Sequence, residues 1–409
     1  KSNLRKMKTF IKILVGLYLV PFYYYYQYLH NSCCNFGSLD RFEGPGELWL
    51  GNLRSLRANM SNLGRHVFLN EPLGTSDPNR TFRISVWKHG PLLEERFLKK
   101  HGAVKNDPLL NCPVQNCYVT YDSDSVIGAD AVFFHMQRIA GPGVLPHKRF
   151  PNQRWIFYTE ESPHHTSGLR RGMRLSDFNG LFNWSMTYRT DSDVPAAYGR
   201  TLPLAVPLDK PLLYNKTKLV AQMNSYCTGS NERMAYVRNL SHYIPVDIYG
   251  KCGPLKCKDS KSRFLSDCPE INDYKFYLAF ENSNCKEYIT EKVWWNAFLK
   301  GAVPVVLGGH KKYYELLCPP NSFIHIDDFN SPKDLGEYLL FLDANHEEYN
   351  KYREWTKYFE IRNEHGYHGS EIYYYCRICE ALNFNDPRPK VHNELERTWS
   401  TSVDCFKRD

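Results

Sequence analysis

The chain has 409 residues, more than a single hydrophobic core usually organises, so two domains are expected. Its formal net charge of +8 is modest for this length, and no RNA-binding signature or block of Lys and Arg follows the N-terminus. These features argue against nucleic acid as a partner.

The N-terminus has the pattern of a membrane anchor. Residues 1–8 carry four cations, and the mostly apolar run 9–28 contains a single charge, Lys12. A run of about 20 apolar residues can span a bilayer, and cations before it favour a cytosolic N-terminus. The alternative, a cleaved signal peptide, requires a small-residue cleavage site, and none follows. The sequence therefore predicts a cytosolic tail at 1–8, a transmembrane signal anchor at 9–28 and a luminal body.

Sequons and cysteines are typical of a luminal body. The 13 cysteines can pair in an oxidising compartment. Cys376 and Cys379 form a CxxC pair that would fit half of a zinc site, but no second CxxC lies at finger spacing, so disulfides are favoured. The N-x-S/T sequons are at Asn59, Asn79, Asn183, Asn215 and Asn239.

A stem and a first domain follow the anchor. Residues 29–80 are rich in Gly, Pro, Asn and Ser and show little periodicity, which is typical of a stem. The first domain is expected at 81–205, with strands at 82–87, 117–121, 129–136 and 155–159.

The strand at 155–159 leads into a candidate catalytic loop, Glu160-Glu161-Ser162-Pro163-His164-His165-Thr166. Open α/β sheets place ligands at the carboxyl ends of their strands, and a carboxylate there can act as a positioned general base. Side chains alternate along a strand, so Glu161 shares a face with Trp155 and Phe157, while Glu160 points the other way. The residues alone leave open whether either carboxylate is a base or a solvated loop acid.

The next segment contains Tyr188, Arg189, Asp191, Asp193 and Tyr198. Asp191-x-Asp193 fits the D-x-D pattern that holds Mn²⁺ against a diphosphate in some enzymes. Two carboxylates at this spacing are also common by chance. No obligatory metal is therefore expected here.

A second domain is predicted at 216–375, after a proline-rich linker at 204–215. Strands at 219–225 and 246–249 flank a helix that runs from Arg233 to Leu240. Arg233 lies in the first turn of this helix, where it would meet an anion or remain an ordinary surface arginine.

The stretch 273–309 has the pattern of a strand–helix–strand unit. A buried strand at 274–280, a polar loop at 281–289, an N-cap at Thr290, a helix at 291–300 and a strand at 302–307 follow one another. Such units build parallel, doubly wound sheets. Lys292 in the first helical turn would bind an anion such as a diphosphate, or remain a solvated lysine.

The sequence FYLAFENSNCKEYITEKVWWNAFLKGAVPVVLG, residues 276–308, resembles the signature of the α1,3-fucosyltransferases, inverting enzymes that use GDP-fucose. A weaker resemblance extends from about Arg83 to the end of the chain. It implies the α/β GT-B architecture, in which two Rossmann-like domains face a cleft and the second binds the nucleotide sugar. It also implies that Cys376 and Cys379 bond to Cys112 and Cys117, with the pairing left open.

The same resemblance implies roles for individual residues. Glu161, directly before Ser-Pro, corresponds to the catalytic base, and Glu160 to a supporting group. Arg233 and Lys292 would take the diphosphate, and Glu291 the hydroxyls of fucose or ribose. The remaining donor residues are Tyr288, Asn282 and Tyr198, and the residues expected at the acceptor or cleft are His164, Tyr188, Arg189 and Asp191.

The end of the chain is expected to complete this architecture. A strand at 323–326 precedes two amphipathic helices, at 331–342 and 347–359, which would pack back across the cleft. Residues 376–409 are expected to form a disulfide-tied tail.

The resulting hypothesis is a single-pass type II Golgi membrane enzyme with a luminal catalytic body. It would transfer L-fucose from GDP-fucose to the 3-hydroxyl of GlcNAc in a glycan, without an obligatory cofactor, although stimulation by Mn²⁺ stays open. The acceptor also stays open between the N-glycan core and a LacNAc or LacdiNAc antenna. A glycoside hydrolase would need two opposed carboxylates about 5 to 9.5 Å apart, and none is indicated. A catalytically inactive glycan- or nucleotide-sugar-binding protein of the same fold is the other alternative.

Overall fold

The computed structural model describes residues 45–88, 90, 93, 108–109, 112–166, 174–229, 231–259, 266–368, 370 and 372–408. The chain divides into two units, Lys1–Glu47 and Leu48–Asp409, and everything discussed below belongs to the second. The predicted cytosolic tail and membrane anchor lie outside the described residues. Within the described residues, every helix is too short or too polar to cross a bilayer.

A parallel sheet of six strands forms the first half of the second unit, in the order β2-β1-β3-β4-β5-β6. The predicted strand at 82–87 is found as such, and three others are found with ends shifted by one or two residues. The strands are β1 Phe82–Trp87, β2 Cys117–Thr120, β3 Ala131–His135, β4 Arg154–Tyr158, β5 Trp184–Thr187 and β6 Val194–Pro195.

A second parallel sheet has five strands in the order β12-β11-β10-β8-β9. If β8 is counted as its first strand, the order is 2-1-3-4-5, which is also the order of the first five strands of the first sheet. This order is typical of doubly wound folds, whose ligands bind where the winding direction reverses. The strands are β8 Lys218–Met223, β9 Val246–Tyr249, β10 Tyr274–Phe280, β11 Val303–Leu307 and β12 Ile324–His325.

Alternate side chains of the central strands enter different cores. Trp155 and Phe157 of β4 belong to a large cluster that also contains Tyr277 of β10. Ile156 and Tyr158 point to the opposite face and pack in a separate cluster. The predicted faces of β4 are therefore confirmed.

The predicted stem at 29–80 is wrong for its described part. The helices Pro45–Arg54 and Asn62–Leu69 lie in this interval, and Leu63 and Val67 are buried in the core beside the first sheet. The helix Asn62–Leu69 places these apolar side chains on one face, a periodicity too short to stand out among the Gly and Pro residues around it. The folded body thus begins near residue 48 rather than 81.

The C-terminal helices differ from the expectation. The helix Pro332–Ala344 packs on the helix Arg233–Leu240 in the core of the second sheet, and does not cross to the first. The predicted helix at 347–359 is also wrong, because His346–Lys351 is followed by a 3₁₀ turn and by β13, Phe359–Asn363. β13 pairs antiparallel with β7, Gly199–Pro203, and overlaps the predicted helix only at Phe359.

The helix Tyr374–Phe384 returns to the first sheet instead, where Ile378 packs with Ile84 of β1. Two disulfides, Cys112–Cys376 and Cys117–Cys379, hold it there, as the resemblance implied. The remaining disulfides are Cys227–Cys252, Cys257–Cys268 and Cys285–Cys405, and within the described residues Cys318 is a buried free thiol.

The helix of the signature stretch is only partly α-helical. Glu291–Val293 form one α-turn, and Trp294–Leu299 continue as a π-helix, whose wider turn differs from the predicted α-helix. A Cβ on Gly199 would lie 2.4 Å from the Trp294 ring, so this bulky ring packs directly on the backbone of β7. Gly301 ends the helix with φ of +72°, as expected for a C′ glycine.

Candidate active site

Three loops at the carboxyl ends of parallel strands carry the predicted site residues. The loop after β4 carries Glu161, the loop after β8 leads to Arg233, and the loop after β10 leads to Lys292. β8 and β10 are neighbours on either side of the point where the second sheet reverses its winding. This is the position at which doubly wound sheets bind ligands.

Glu161 reaches from the first sheet to residues 281–289, which are called the signature loop below. The Tyr288 hydroxyl donates a hydrogen bond to Glu161 Oε2 at 3.0 Å. Burial and the neighbouring charge of Glu160 raise the pKa of Glu161, and the Tyr288 hydrogen bond opposes this rise. A carboxylate with a raised pKa and a fixed orientation is suited to accept a proton near neutral pH.

Glu160 faces away from this contact, as the alternation along β4 predicts. Its Oε2 accepts a hydrogen bond from the Tyr158 hydroxyl at 2.9 Å and lies 3.3 Å from His365 Nε2. Tyr198 donates to the backbone oxygen of Glu160 at 2.8 Å and stacks on His365 with ring centroids 3.9 Å apart. Glu160 is therefore held in the protein interior, next to the candidate base.

Lys292 is fixed by three oxygen-bearing side chains. Its Nζ lies 3.1 Å from Glu281 Oε2, 3.2 Å from Glu291 Oε1 and 2.8 Å from Thr290 Oγ1. Burial alone would lower the pKa of Lys292, but the charges of Glu281 and Glu291 raise it above its ordinary value. The amine is thus a permanent cation at the start of the signature helix.

Glu281 and Glu291 hold this cation in different ways. Glu281 is fully buried and accepts hydrogen bonds from the Thr290 amide at 2.8 Å and from its hydroxyl. Glu291 remains 22% exposed. Burial opposes its ionisation, but the positive charge of Lys292, with those of His365 and His368, lowers the pKa of Glu291 to about 2. Glu291 is an anion at any pH at which the protein would work.

Arg233 is almost fully buried, with a relative exposure of 2%. Its guanidinium donates to the Phe280 and Tyr226 carbonyls, each at 2.9 Å, and to Asn224 Oδ1 at 3.0 Å. Within the described residues its Nε has no hydrogen-bond partner. Burial lowers the pKa of Arg233, and the charge of Glu281 opposes this fall. The charge of Glu281 also raises the pKa of Lys292, so the two cations lie near the same carboxylate.

The other residues predicted at the site lie around this centre. Tyr188 packs on Tyr288 with ring centroids 5.0 Å apart. Asn282 is half-buried and accepts a hydrogen bond from Ser283 at 3.0 Å. Ser283 also bonds Ser162, the residue after Glu161, at 2.8 Å. The signature loop therefore contacts the Glu161 loop at two positions.

Arg189, Asp191 and His164 are the remaining residues that were predicted at the acceptor or cleft. Arg189 binds Asp191 and Asp404, and Asp191 also contacts Lys286 at 3.2 Å. His164 is exposed. The acceptor or cleft roles of these three residues stay predictions.

The carboxylates of the D-x-D pattern bind protein cations. Asp193 contacts Lys390 and His392, the latter at 3.0 Å, and Asp191 contacts Arg189 and Lys286. Two groups of potential metal ligands exist among the described residues, but both include cysteines that are bonded in disulfides, which removes the thiolates a metal would need. The groups are His164 with Cys285 and Cys405, and Glu270 with Cys257 and Cys268.

Sequence reasoning missed Glu281, His365 and His368. Glu281 was predicted only as the start of a polar loop, because its role depends on Thr290, nine residues later. His368 stacks on Trp295 with ring centroids 5.7 Å apart. The close spacing of His365 and His368 could have marked them as candidate site residues, although nothing in the linear sequence places them beside Glu160 and Glu291.

Known proteins were compared with the chain. The family description "Fucosyltransferase, N-terminal" matches residues 79–199, and "Glycosyltransferase family 10 (fucosyltransferase) C-term" matches 213–399. Glycoprotein 3-alpha-L-fucosyltransferase A of Drosophila melanogaster is 38% identical over 73% of this chain, and the match spans 57% of that protein. Alpha-(1,3)-fucosyltransferase 7 of Bos taurus is 35% identical over 80% of this chain and 88% of that protein.

A crystal structure of an α1,3-fucosyltransferase with GDP-fucose aligns with a TM-score of 0.46 at 14% identity, over 80% of this chain and 98% of that chain. The two family matches together span most of the chain, from the strand β1 to the helix before Trp399. The chain therefore belongs to glycosyltransferase family 10, the fucosyltransferases.

Proposed function

We propose that this protein is an inverting α1,3-fucosyltransferase that moves L-fucose from GDP-fucose to the 3-hydroxyl of a GlcNAc unit in a glycan. The contact between Glu161 and Tyr288 carries the proposal, because it sets a carboxylate with a raised pKa against the loop that leads to Lys292. The names of the relatives, which are α1,3- or glycoprotein 3-α-fucosyltransferases, support the choice of reaction.

In this proposal the two sheets belong to two Rossmann-like domains in the GT-B arrangement. The second domain binds GDP-fucose at the carboxyl ends of β8 and β10, where Arg233 and Lys292 attract the diphosphate. Lys292 is already balanced by two carboxylates, so a diphosphate is expected to displace part of this local network. Glu291, anionic throughout, would accept hydrogen bonds from the hydroxyls of fucose or ribose.

The reaction is a single displacement. The acceptor 3-hydroxyl oxygen attacks the anomeric carbon of fucose from the side opposite to GDP, and its proton passes to Glu161. The new glycosidic bond forms while the bond from the anomeric carbon to the phosphate oxygen breaks, and GDP leaves with the electron pair. Negative charge grows on the departing phosphate, and fixed cations stabilise such developing charge more than they stabilise the bound donor.

The proposal includes a location and a topology. Residues 9–28 would anchor the protein in the Golgi membrane as a single-pass type II protein, and the described body would face the lumen. Five disulfides in the described residues support an oxidising compartment. A variant in which a cleavable signal peptide replaces residues 1–28 should therefore be secreted, and a fluorescent fusion of the full chain should colocalise with a Golgi marker.

One assay tests the activity. The secreted body is incubated with GDP-fucose and with a core chitobiose, a LacNAc or a LacdiNAc acceptor, with and without EDTA. We expect fucose on the 3-hydroxyl of GlcNAc in at least one acceptor, with activity that persists in EDTA. GDP binding without transfer to any acceptor would instead favour the inactive binding protein, and loss of all activity in EDTA would require a metal.

A further inference from the structure

Residues 400–408, here called the C-terminal strap, lie beyond the family match, which ends at residue 399. The strap begins with the short helix Thr401–Asp404 and continues in extended form to Arg408. It contacts the signature loop, the ends of two strands of the second sheet and Arg189 of the first half. Nothing in the family match accounts for these contacts.

The strap pairs with the middle of the signature loop as a short antiparallel bridge. Cys405 forms a disulfide with Cys285. On either side of this bond, the Lys286 amide donates to the Asp404 carbonyl at 2.7 Å, and the Phe406 amide donates to the Asn284 carbonyl at 2.9 Å. The backbone of the loop is thus held by one covalent bond and two hydrogen bonds, three residues from Tyr288.

Both ends of the strap are fixed as well. Arg408 binds the carboxylate of Asp327 through two hydrogen bonds of 2.7 and 2.8 Å, and donates to the Gly308 carbonyl at 3.2 Å. Phe406 stacks on His310 with ring centroids 3.7 Å apart. Gly308 and His310 directly follow β11, so these contacts attach the strap to the carboxyl edge of the second sheet. At the other end, the Asp404 side chain is 1% exposed and pairs with Arg189 at 2.5 Å.

The strap also borders a cavity of about 630 Å³ at this edge. The volume is within the range of sites for small organic ligands, about 300 to 1,000 Å³. Lys407 and Arg408 line it together with Asp327, the carboxylate that Arg408 binds, and with residues of the helix Arg233–Leu240. The cavity reaches the signature loop at Asn284, whose Oδ1 accepts from Asn231 at 3.0 Å.

We propose that the C-terminal strap is a donor-positioning element. It holds the signature loop in the conformation that binds GDP-fucose, and its Lys407 and Arg408 line the cavity beside that loop. Removing the contacts of Cys405, Phe406 and Arg408 weakens donor binding and leaves acceptor binding unchanged. This inference rests on the proposed function, because it assigns the strap to the donor of that reaction.

Point variants test the strap without removing it. Arg408→Ala is expected to raise the KM for GDP-fucose and the Kd for GDP about 10-fold, since it removes a bidentate ion pair and a cavity charge. Arg408→Lys should recover part of the loss, because a positive charge remains. The KM for the acceptor should stay within twofold of wild type. Arg397→Ala is the matched control, since Arg397 is exposed and pairs only with Glu394 of the same turn among the described residues.

A pair of double variants tests the disulfide. Cys285→Ser with Cys405→Ser should raise the KM for GDP-fucose at least as much as Arg408→Ala does. Cys117→Ser with Cys379→Ser is the control, because that bond also joins distant segments, 262 residues apart against 120 for Cys285–Cys405, and its neighbour Cys112–Cys376 still holds the same helix. The control should lower the Tm and leave the KM for GDP-fucose unchanged.

Failure of the strap proposal and failure of the proposed function would give different results. If wild-type protein transfers fucose and binds GDP, but Arg408→Ala and Phe406→Ala keep the wild-type KM and Kd, the strap proposal is overturned and the proposed function stands. If wild-type protein neither binds GDP in calorimetry nor transfers fucose, the proposed function fails, and the strap proposal fails with it. Should the disulfide variant not fold, the two point variants still decide.

Discussion

The loop after β4 and the start of the signature helix after β10 each carry a glutamate, Glu161 and Glu291, and their environments shift the two pKa values in opposite directions. Burial and the charge of Glu160 raise the pKa of Glu161, and the hydrogen bond from Tyr288 does not cancel this rise. Glu291 is next to Lys292 and two histidines, and its pKa falls to about 2 in spite of burial. Two glutamates therefore differ in their chemistry: Glu161 is suited to accept a proton, and Glu291 stays a permanent anion.

The opposite pKa shifts indicate different roles for Glu161 and Glu291. Titratable groups whose environments push their pKa values apart mark the acid–base assignments of an active site. A base must be able to gain a proton during turnover, which Glu291 could do only at pH values near 2. The pKa shifts therefore support the proposal that the segment after β10 binds charge and the loop after β4 moves a proton.

The largest effect is expected from neutralising the base. Glu161→Gln keeps the shape of the side chain and its contact with Tyr288, but the amide cannot accept the proton of the acceptor hydroxyl. We expect kcat to fall about 100-fold or more, with the Kd for GDP unchanged. Steady-state kinetics and calorimetry on the same preparation measure both. Wild-type turnover in this variant would remove Glu161 from the mechanism.

The second effect concerns the cation. Lys292→Ala removes a charge near the diphosphate and leaves Glu281 buried without its cation, so we expect GDP to bind about 10 to 100-fold more weakly. Lys311→Ala is a suitable control, because that lysine is paired with Asp328 on the surface. Wild-type affinity for GDP in Lys292→Ala would show that the loop after β10 does not bind the diphosphate.

The third prediction is a pair of opposite shifts in pH dependence. The acidic limb of kcat/KM reports the pKa of the free base. Glu160→Gln removes a charge that raises the pKa of Glu161, so the limb should move to lower pH. Tyr288→Phe removes the hydrogen bond that lowers this pKa, so the limb should move to higher pH. Shifts of the same sign in both variants would contradict the assignment of Glu161 as the titrating group.

The smallest effect concerns Asn183, which supports the strand that carries the base. Its Oδ1 accepts from the Trp155 amide at 2.8 Å, its Nδ2 donates to the Lys390 carbonyl at 2.7 Å, and it is 5% exposed. An asparagine in these contacts is not accessible to a glycan, whereas the other four sequons are exposed. In secreted protein, removal of N-glycans should therefore report at most four, and Asn183→Gln should leave that number unchanged. A glycopeptide containing Asn183 would contradict the burial.

The strands were predictable from the sequence because buried parallel strands are continuous apolar runs. β1, β9 and β10 were predicted with their observed ends, and the N-cap at Thr290 was predicted too. Errors arose where a distant partner decides the structure. The predicted helix at 347–359 gives way, at its last residue, to the strand Phe359–Asn363, which pairs with β7 more than 150 residues earlier in the chain.

The site was predictable to a similar extent. The residues that follow strand ends, Glu161 and Lys292, could be found from motifs and from the rule that ligands bind there. Glu281 could not, because its role depends on how the signature loop folds back to Thr290. His365 and the strap could not, because their contacts join segments that lie far apart in the chain. The opposite pKa shifts of Glu161 and Glu291 also depend on packing and have no linear signal.

A structure of the protein bound to GDP tests the central claim most directly, since the claim is that a base on one sheet faces a nucleotide held by cations on the other. We predict oxygens of the diphosphate within about 3.2 Å of both Lys292 Nζ and the Arg233 guanidinium, with the Glu161 carboxylate facing the open side of the β-phosphate. A diphosphate that contacts neither cation, or a Glu161 carboxylate turned away from it, would contradict the account.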